Sequence, residues 1–348
     1  MRFKHLDKYR VGGTNDRPNL AVPVPQTPGG RVYRYSPNEA AAPRHFVLGG
    51  RRDAETSDQP KARMRRAPGS PFTVCPYSGV IAPDGDFLHP EDRDAAIKTV
   101  GDAAVADAAE YLRDAFKGIA RRSKSWTFKP SAHQAPRQRL FIREDLLRAM
   151  HCNLCGRDYG VYAVALFCPD CGAPNVALHF RRETELVSAQ IEQAESLDPT
   201  NNELAYRLLG NAHEDVLTAF EATQKIVFAY LWSTHRPDEA APNVRNDFQN
   251  VDKAKGRYAT LGLDPFDQLD AEALAALELN IQKRHVIGHN LGMIDEKYSV
   301  LADDAQIGTT VELLADDIRI FAGICLSVVQ SLDDAILASS QTGSTIAP

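Results

Sequence analysis

The sequence predicts a mainly α protein: an antiparallel four-helix bundle at the C-terminal end, preceded by a long helix and a small ribbon module built on a β-hairpin. Three observations predict it. Beyond residue 200 the chain reads as four helical segments, the last showing apolar residues at three- and four-residue steps, the spacing of one helical face. The polar connections between them are short, which favours antiparallel neighbours. Ahead of them stand two C-x2-C pairs twelve residues apart, inside a stretch that alternates like a strand.

With 348 residues, 43% hydrophobic and 25% charged, the chain has room for two or three small domains. No run of eighteen apolar residues occurs, so no membrane span is expected. The opening "MRFKHLDKYR" lacks the apolar core of a signal peptide, which sets the expectation of a cytoplasmic protein. Charge is uneven. Residues 1–70 hold 14 Lys and Arg against 6 Asp and Glu, a net +8, so the remainder of this −6 chain stands at −14. Those seventy residues are rich in Pro, Gly and Arg. They read as a largely extended or disordered basic arm, with "RVYRY" and "HFVLGG" as short strands.

Residues 71–150 combine "FTVCPYSGV" with a long helix. Pro90, Glu91 and Asp92 open this helix, and Arg121, Arg122 and Lys124 close it, as the helix dipole favours. Its apolar stripe runs through Ile97, Val100, Ala104, Ala108, Tyr111, Leu112, Ala115, Phe116 and Ile119. Residues 151–180 form the ribbon and 181–200 a helical linker. The bundle then occupies 201–338, with helices near 201–234, 244–261, 270–290 and 309–337, before a disordered tail at 339–348. In the last helix Val311, Leu314, Ile318, Phe321, Cys325, Val328 and Leu332 share a face, which places Cys325 in the core.

Cys152, Cys155, Cys168 and Cys171 carry the strongest chemical signal. Each C-x2-C makes a tight turn whose two thiolates grip one ion, and a glycine follows each second cysteine. The intervening "VYAVALF" suits a hairpin that brings the pairs together. Four thiolates leave no open coordination position, so the expectation is one structural Zn2+ per chain, a zinc ribbon. Cys75, in "CPYSG", resembles one half of another such turn with Ser78 in place of the second cysteine, and His89 supplies no further ligand set.

"KRHVIGHN", Lys283 to Asn290, ends the third bundle helix with a dense polar cluster. His285 and His289 are four apart, the spacing of a metal pair, but no HExxH glutamate accompanies them. Capping of the helix end beside Asn290 and Gly292 is a second reading. The arrangement also resembles the R-[N/D/H]-x3-H motif of HEPN (higher eukaryotes and prokaryotes nucleotide-binding) domains, here Arg284, His285 and His289. The likeness extends through "DFQNVDKAKGRYATLGLDPFDQL" and "HNLGMIDEKY" and covers roughly 200–338. A zinc ribbon ahead of it resembles bacterial proteins that join these two parts.

The resemblance implies a metal-independent endoribonuclease, of the kind that serves as toxin, RNA-processing factor or antiphage effector. It implies acid–base work by His289, phosphate stabilisation by Arg284, and supplementary polar contacts from His285 and Asn290. Glu221 on the first bundle helix is a candidate partner for the Arg or His. Positions 284 and 289 lie about 140° apart around a helix. The family resolves this by a two-fold dimer around a shared cleft, so RNA as substrate and a homodimer through the bundle are the implied partners. The family also holds non-catalytic members, so a zinc-ribbon/HEPN sensor or scaffold that binds nucleic acid or protein is the alternative.

Overall fold

The computed structural model describes residues 3–14, 16–52, 60–120, 146–290, 292–302 and 305–342, with only the backbone described at 60–61, 114–120, 289–290 and 341–342. The chain is mainly α with small antiparallel sheets. Strands β1 (Arg10–Gly13) and β2 (Pro18–Leu20) pair with each other. Then follow β3 (Val32–Tyr35), β4 (His45–Arg51), the short α1 (Pro60–Arg63), β5 (Phe72–Val74), β6 (Ile81–Pro83) and α2 (Pro90–Ala120). After the segment 121–145, which lies outside the described residues, come β7 (Arg148–His151) and β8 (Arg157–Val161).

The principal sheet has the order β3-β4-β8-β7, every pair antiparallel. Residues 32–51, read from sequence as part of an extended or disordered arm, are therefore half of this sheet. Phe46 and Val47 are fully buried in it. The arm's arginines are the fasteners. Arg31 makes a two-pronged ion pair with Asp158 at 2.9 and 3.0 Å. Arg44 donates to the Ser36 carbonyl, and Arg51 joins Arg157 on the Asp170 carboxylate. Arginines of the arm expected to be extended or disordered thus fasten it to the sheet and the second cysteine turn.

The hairpin also differs from its expected position. Its strands are β7 and β8, which flank the first cysteine turn, whereas "VYAVALF" leaves β8 after Val161 and runs irregularly to the second turn. Helix α2 opens at Pro90 as predicted, and its expected closing residues Arg121, Arg122 and Lys124 lie outside the described residues. Its stripe is only partly covered, since Ile97, Tyr111 and Leu112 are more than half exposed. Asp107 on the same helix accepts the successive backbone N–H groups of Lys4, His5 and Leu6 at 2.8, 2.9 and 2.9 Å, tying down the N-terminal segment.

The helical part comprises α3 (Val176–Glu195), α4 (Asn202–His235), α5 (Val251–Ala259), α6 (Ala271–Asn290), α7 (Glu296–Leu301) and α8 (Ala315–Thr342). Helices α3, α4 and α8 pack closely together, and α6 lies against α4 and α8. The expected linker at 181–200 is thus a principal core helix. Val176, Phe180, Val187, Ile191 and Ala194 form its buried face at helical steps. The expected helix at 244–261 is instead a 3-10 turn over Asp247–Gln249 followed by the nine-residue α5. The tail expected to be disordered from 339 continues α8 as far as Thr342, and 343–348 lie outside the described residues.

The core gathers aromatic rings around Phe228, whose centroid lies 5.8, 5.8 and 5.7 Å from those of Trp232, Phe248 and Tyr258. Cys325 is buried in it, as its helical position predicted. Helix α8 is long and apolar enough to cross a membrane by length and composition. Its Ile318, Phe321, Val328, Val329, Leu332 and Ile336 are all buried against the other helices. The cysteine-bearing segment is bolted to this core. Phe167 packs edge-on to Tyr230 at 5.3 Å. Asp333 of α8 accepts the first backbone N–H groups of α3, from Val176 at 2.7 Å and Ala177 at 3.2 Å.

Candidate functional site

The sulfurs of Cys152, Cys155, Cys168 and Cys171 lie within 4.8 Å of one another and make a possible metal site. Cys152 Sγ stands 3.8 Å from Cys171 Sγ, and Cys155 Sγ stands 3.6 Å from Cys168 Sγ. Four sulfurs each ~2.3 Å from a central ion at tetrahedral angles would stand about 3.8 Å apart. These two separations match a tetrahedral thiolate cage, and none of the four is in a disulfide. Burial pushes the Cys168 thiol up, while sulfhydryl donation from Cys155, Cys168 and Cys171 holds Cys152 down. Among the described residues no other group of three or more His, Cys, Asp and Glu is so placed.

Local hydrogen bonds shape each turn. Cys152 N–H donates to the Arg157 carbonyl at 2.9 Å and Gly156 N–H to the Cys152 carbonyl at 2.8 Å. Cys168 and Gly172 repeat the pattern, with Cys168 N–H to the Ala173 carbonyl at 2.9 Å and Gly172 N–H to the Cys168 carbonyl at 2.9 Å. Cys75 and Gly79 repeat it a third time, at 2.8 Å to Val80 and 2.9 Å to Cys75. The three glycines have φ near +70°, at 71°, 70° and 70°, where a side chain is strained. The "CPYSG" segment is therefore a genuine third turn, with β5 and β6 as its strands. Ser78 Oγ is buried there with no hydrogen-bond partner in the structure. Asp170, inside the second turn, receives Arg51, Arg157 and the Gly69 N–H. Burial alone would raise its carboxyl, but these donors outweigh it and hold it below the ordinary value.

Arg284 and His285 lie on α6 and line a polar pocket of about 210 Å3, together with Lys253 of α5 and Lys297 of α7. The carboxylate beside Arg284 belongs to Glu214 of α4, with Nε to Oε1 at 3.7 Å. Glu221, the predicted partner, is not there. It sits two helical turns further along α4, paired with Lys225 at 2.5 Å and accepting from Gln249 at 2.7 Å. Seven residues separate positions 214 and 221, so both share one face, and the relative sliding of α4 and α6 selects the former. A Cβ on Gly288 would lie 3.0 Å from Glu214 Oε1, so glycine at that position lets the carboxylate approach the helix closely. The backbone of His289 and Asn290 continues α6, but their side chains lie outside the described residues.

Behind this face the packing is polar. His213, fully buried, shares a hydrogen bond of 3.0 Å between Nε2 and Asn280 Oδ1 and stacks on Phe321 at 5.1 Å. Burial drives its pKa down to about 4, with Lys283 and Arg284 adding repulsion, so the ring is neutral near pH 7. Lys283 points the other way from Arg284, toward Asp317 of α8 at 3.8 Å, and burial lowers its pKa. Glu214, Lys253 and Lys297 are the residues that sequence reasoning missed. The heptad step from Glu221 back to Glu214 is the one signal in the sequence that pointed to the first. Comparison with known protein families, with characterised proteins and with solved structures finds no match for this chain.

Proposed function

We propose that this chain is a metal-independent endoribonuclease of the HEPN type, with a structural zinc ion in its ribbon. The observation that carries the reading is Arg284, braced by Glu214 at the edge of a pocket that also holds His285, Lys253 and Lys297. RNA brings its own nucleophile, the 2′-OH. His289 takes that proton or delivers one to the departing 5′-oxygen, work suited to a group that titrates near neutrality. Arg284 stabilises the charge that grows on the phosphorane, and Glu214 fixes the guanidinium in place, the role first considered for Glu221. His285 and Asn290 supply further polar contacts. The products carry a 2′,3′-cyclic phosphate and a 5′-OH.

Several features support the remainder of the reading. The four cysteines fit Zn2+ in softness, number and spacing, and such an ion clamps the two turns without taking part in the reaction. Four unoxidised thiols suit a reducing, cytoplasmic setting. The chain after α6 presents Met293, Val300, Leu301, Ile307 and Leu314 to solvent, an apolar surface next to the motif that suits a second copy. The bundle of α3, α4, α6 and α8 then serves as the dimerising body.

The test compares RNA cleavage by the wild type, Arg284→Ala and His289→Ala, with end-group analysis of the products. Cleavage by the wild type alone, leaving cyclic phosphate, is the expected result. Equal cleavage by all three would remove the catalytic assignment. RNA binding without cutting would leave a sensor or scaffold in its place.

A further inference from the structure

The pocket beside Arg284 does not end there. A second hollow of about 190 Å3 shares Gln249, Asn250, Ile281 and Gln282 with it, so the two form one groove between α6 and the segment that runs into α5. The groove is graded in charge. Arg284, Lys253 and Lys297 line one end, whereas Asp252 and Glu278 line the other. Between them lie the side-chain amides of Gln249, Asn250 and Gln282, with Ile281 as an apolar floor. Neither Lys253 nor Lys297 has a carboxylate partner among the described residues, so both are available to an anion.

A ligand that fits this gradient is an anion at one end and a hydrogen-bond donor at the other, with a flat apolar part between. A single nucleotide of RNA has that layout. We propose that the groove seats one nucleotide, with its phosphate at Arg284, Lys253 and Lys297 and its base edge at Asp252 and Glu278, and that it thereby selects bases carrying an exocyclic amino group. Carboxylates only accept hydrogen bonds at neutral pH. Adenine, cytosine and guanine each offer an amino group to such an acceptor, and guanine adds its N1–H. Uracil presents two carbonyls flanking one N–H and leaves a carboxylate facing an oxygen. A mismatch of this kind costs a factor of about ten in affinity. This inference deepens the ribonuclease reading and rests on it, since it names the residue that the cut follows or precedes.

Calorimetric titration of the intact protein with 3′-AMP, 3′-CMP, 3′-GMP and 3′-UMP tests it. The first three are expected to bind at least about tenfold more tightly than 3′-UMP. Asp252→Asn with Glu278→Gln erases that ratio, and Lys253→Ala with Lys297→Ala weakens all four alike. Where the acidic double variant loses its helical spectrum, Asp252→Asn alone, at an exposed position, reduces the ratio. Equal binding of 3′-UMP, an unchanged ratio in the acidic variants, or no binding of any nucleotide overturns the proposal. Failure of the ribonuclease reading shows separately. There the binding ratio persists while the wild type leaves RNA intact.

Discussion

Asp333 is 5% exposed, yet it meets two helix N–H groups and the Arg63 guanidinium at once. Burial raises its carboxyl above the ordinary value, and the three partners only partly offset that. Asp333→Ala leaves the start of α3 and Arg63 without an acceptor, and a loss of about 2–4 kcal/mol is expected by denaturant unfolding. Asp333→Asn keeps an acceptor oxygen and is expected to lose less. At the candidate site Glu214 pairs with Arg284, and on the proposed ribonuclease reading it is a positioning residue. Glu214→Gln is expected to lower kcat for RNA without raising KM, because the guanidinium loses its brace while a repulsive charge leaves the phosphate's path. A raised KM with unchanged kcat would contradict that assignment. Sequence pattern located Arg284 and the face that includes Glu214, but not which carboxylate on that face would arrive. A helix repeats its face every seven residues, and only the packing of α4 against α6 chooses between 214 and 221.

Elements differ in how much of them the sequence revealed. The spacing of Cys152, Cys155, Cys168 and Cys171 exposed the cage, because a tight turn is a local object. The sheet around it was hidden, because β4 pairs with β8 across more than a hundred residues, as in Phe46 opposite Val161. Helix α3 was half legible. Its buried face recurs at helical steps, but its acidic outer face made it look like a connector until α4 and α8 covered the other side. The same packing gives metal removal an effect at a distance. Val74 of β5, with Leu166 and Phe167 just ahead of the second cysteine turn, belongs to the core of the helices, not to a separate one. Chelation or Cys168→Ser is therefore expected to lower the melting temperature read from helical ellipticity by more than about 5 °C. A helical melt indifferent to metal would show that the two parts unfold independently. Metal analysis is expected to return one zinc per chain.

For the whole molecule, three histidines make the packing sensitive to acid. His179 and His213 are buried, His45 half-buried, and burial drives all three down to about 4 from an ordinary value of 6.5. Their folded forms reject the proton that the unfolded chain accepts. The stability they leave intact is thus fully present above pH 6.5 and drains away as pH falls toward 4. Each buried ring contributes up to roughly 3 kcal/mol to that decline, and His45 less. Unfolding free energy measured from pH 7 to 4 is expected to fall steeply, and His213→Gln, which keeps a hydrogen-bond partner for Asn280, should flatten the slope. The turn at Cys75 bears on the whole molecule in another way. It adopts the backbone of the two paired-cysteine turns with a lone thiol and a serine hydroxyl, so that backbone does not depend on a second cysteine. With zinc bound as proposed, the ion would join Cys152, Cys155, Cys168 and Cys171 as a rivet between parts already cut to shape, and its loss would undo their assembly rather than their form.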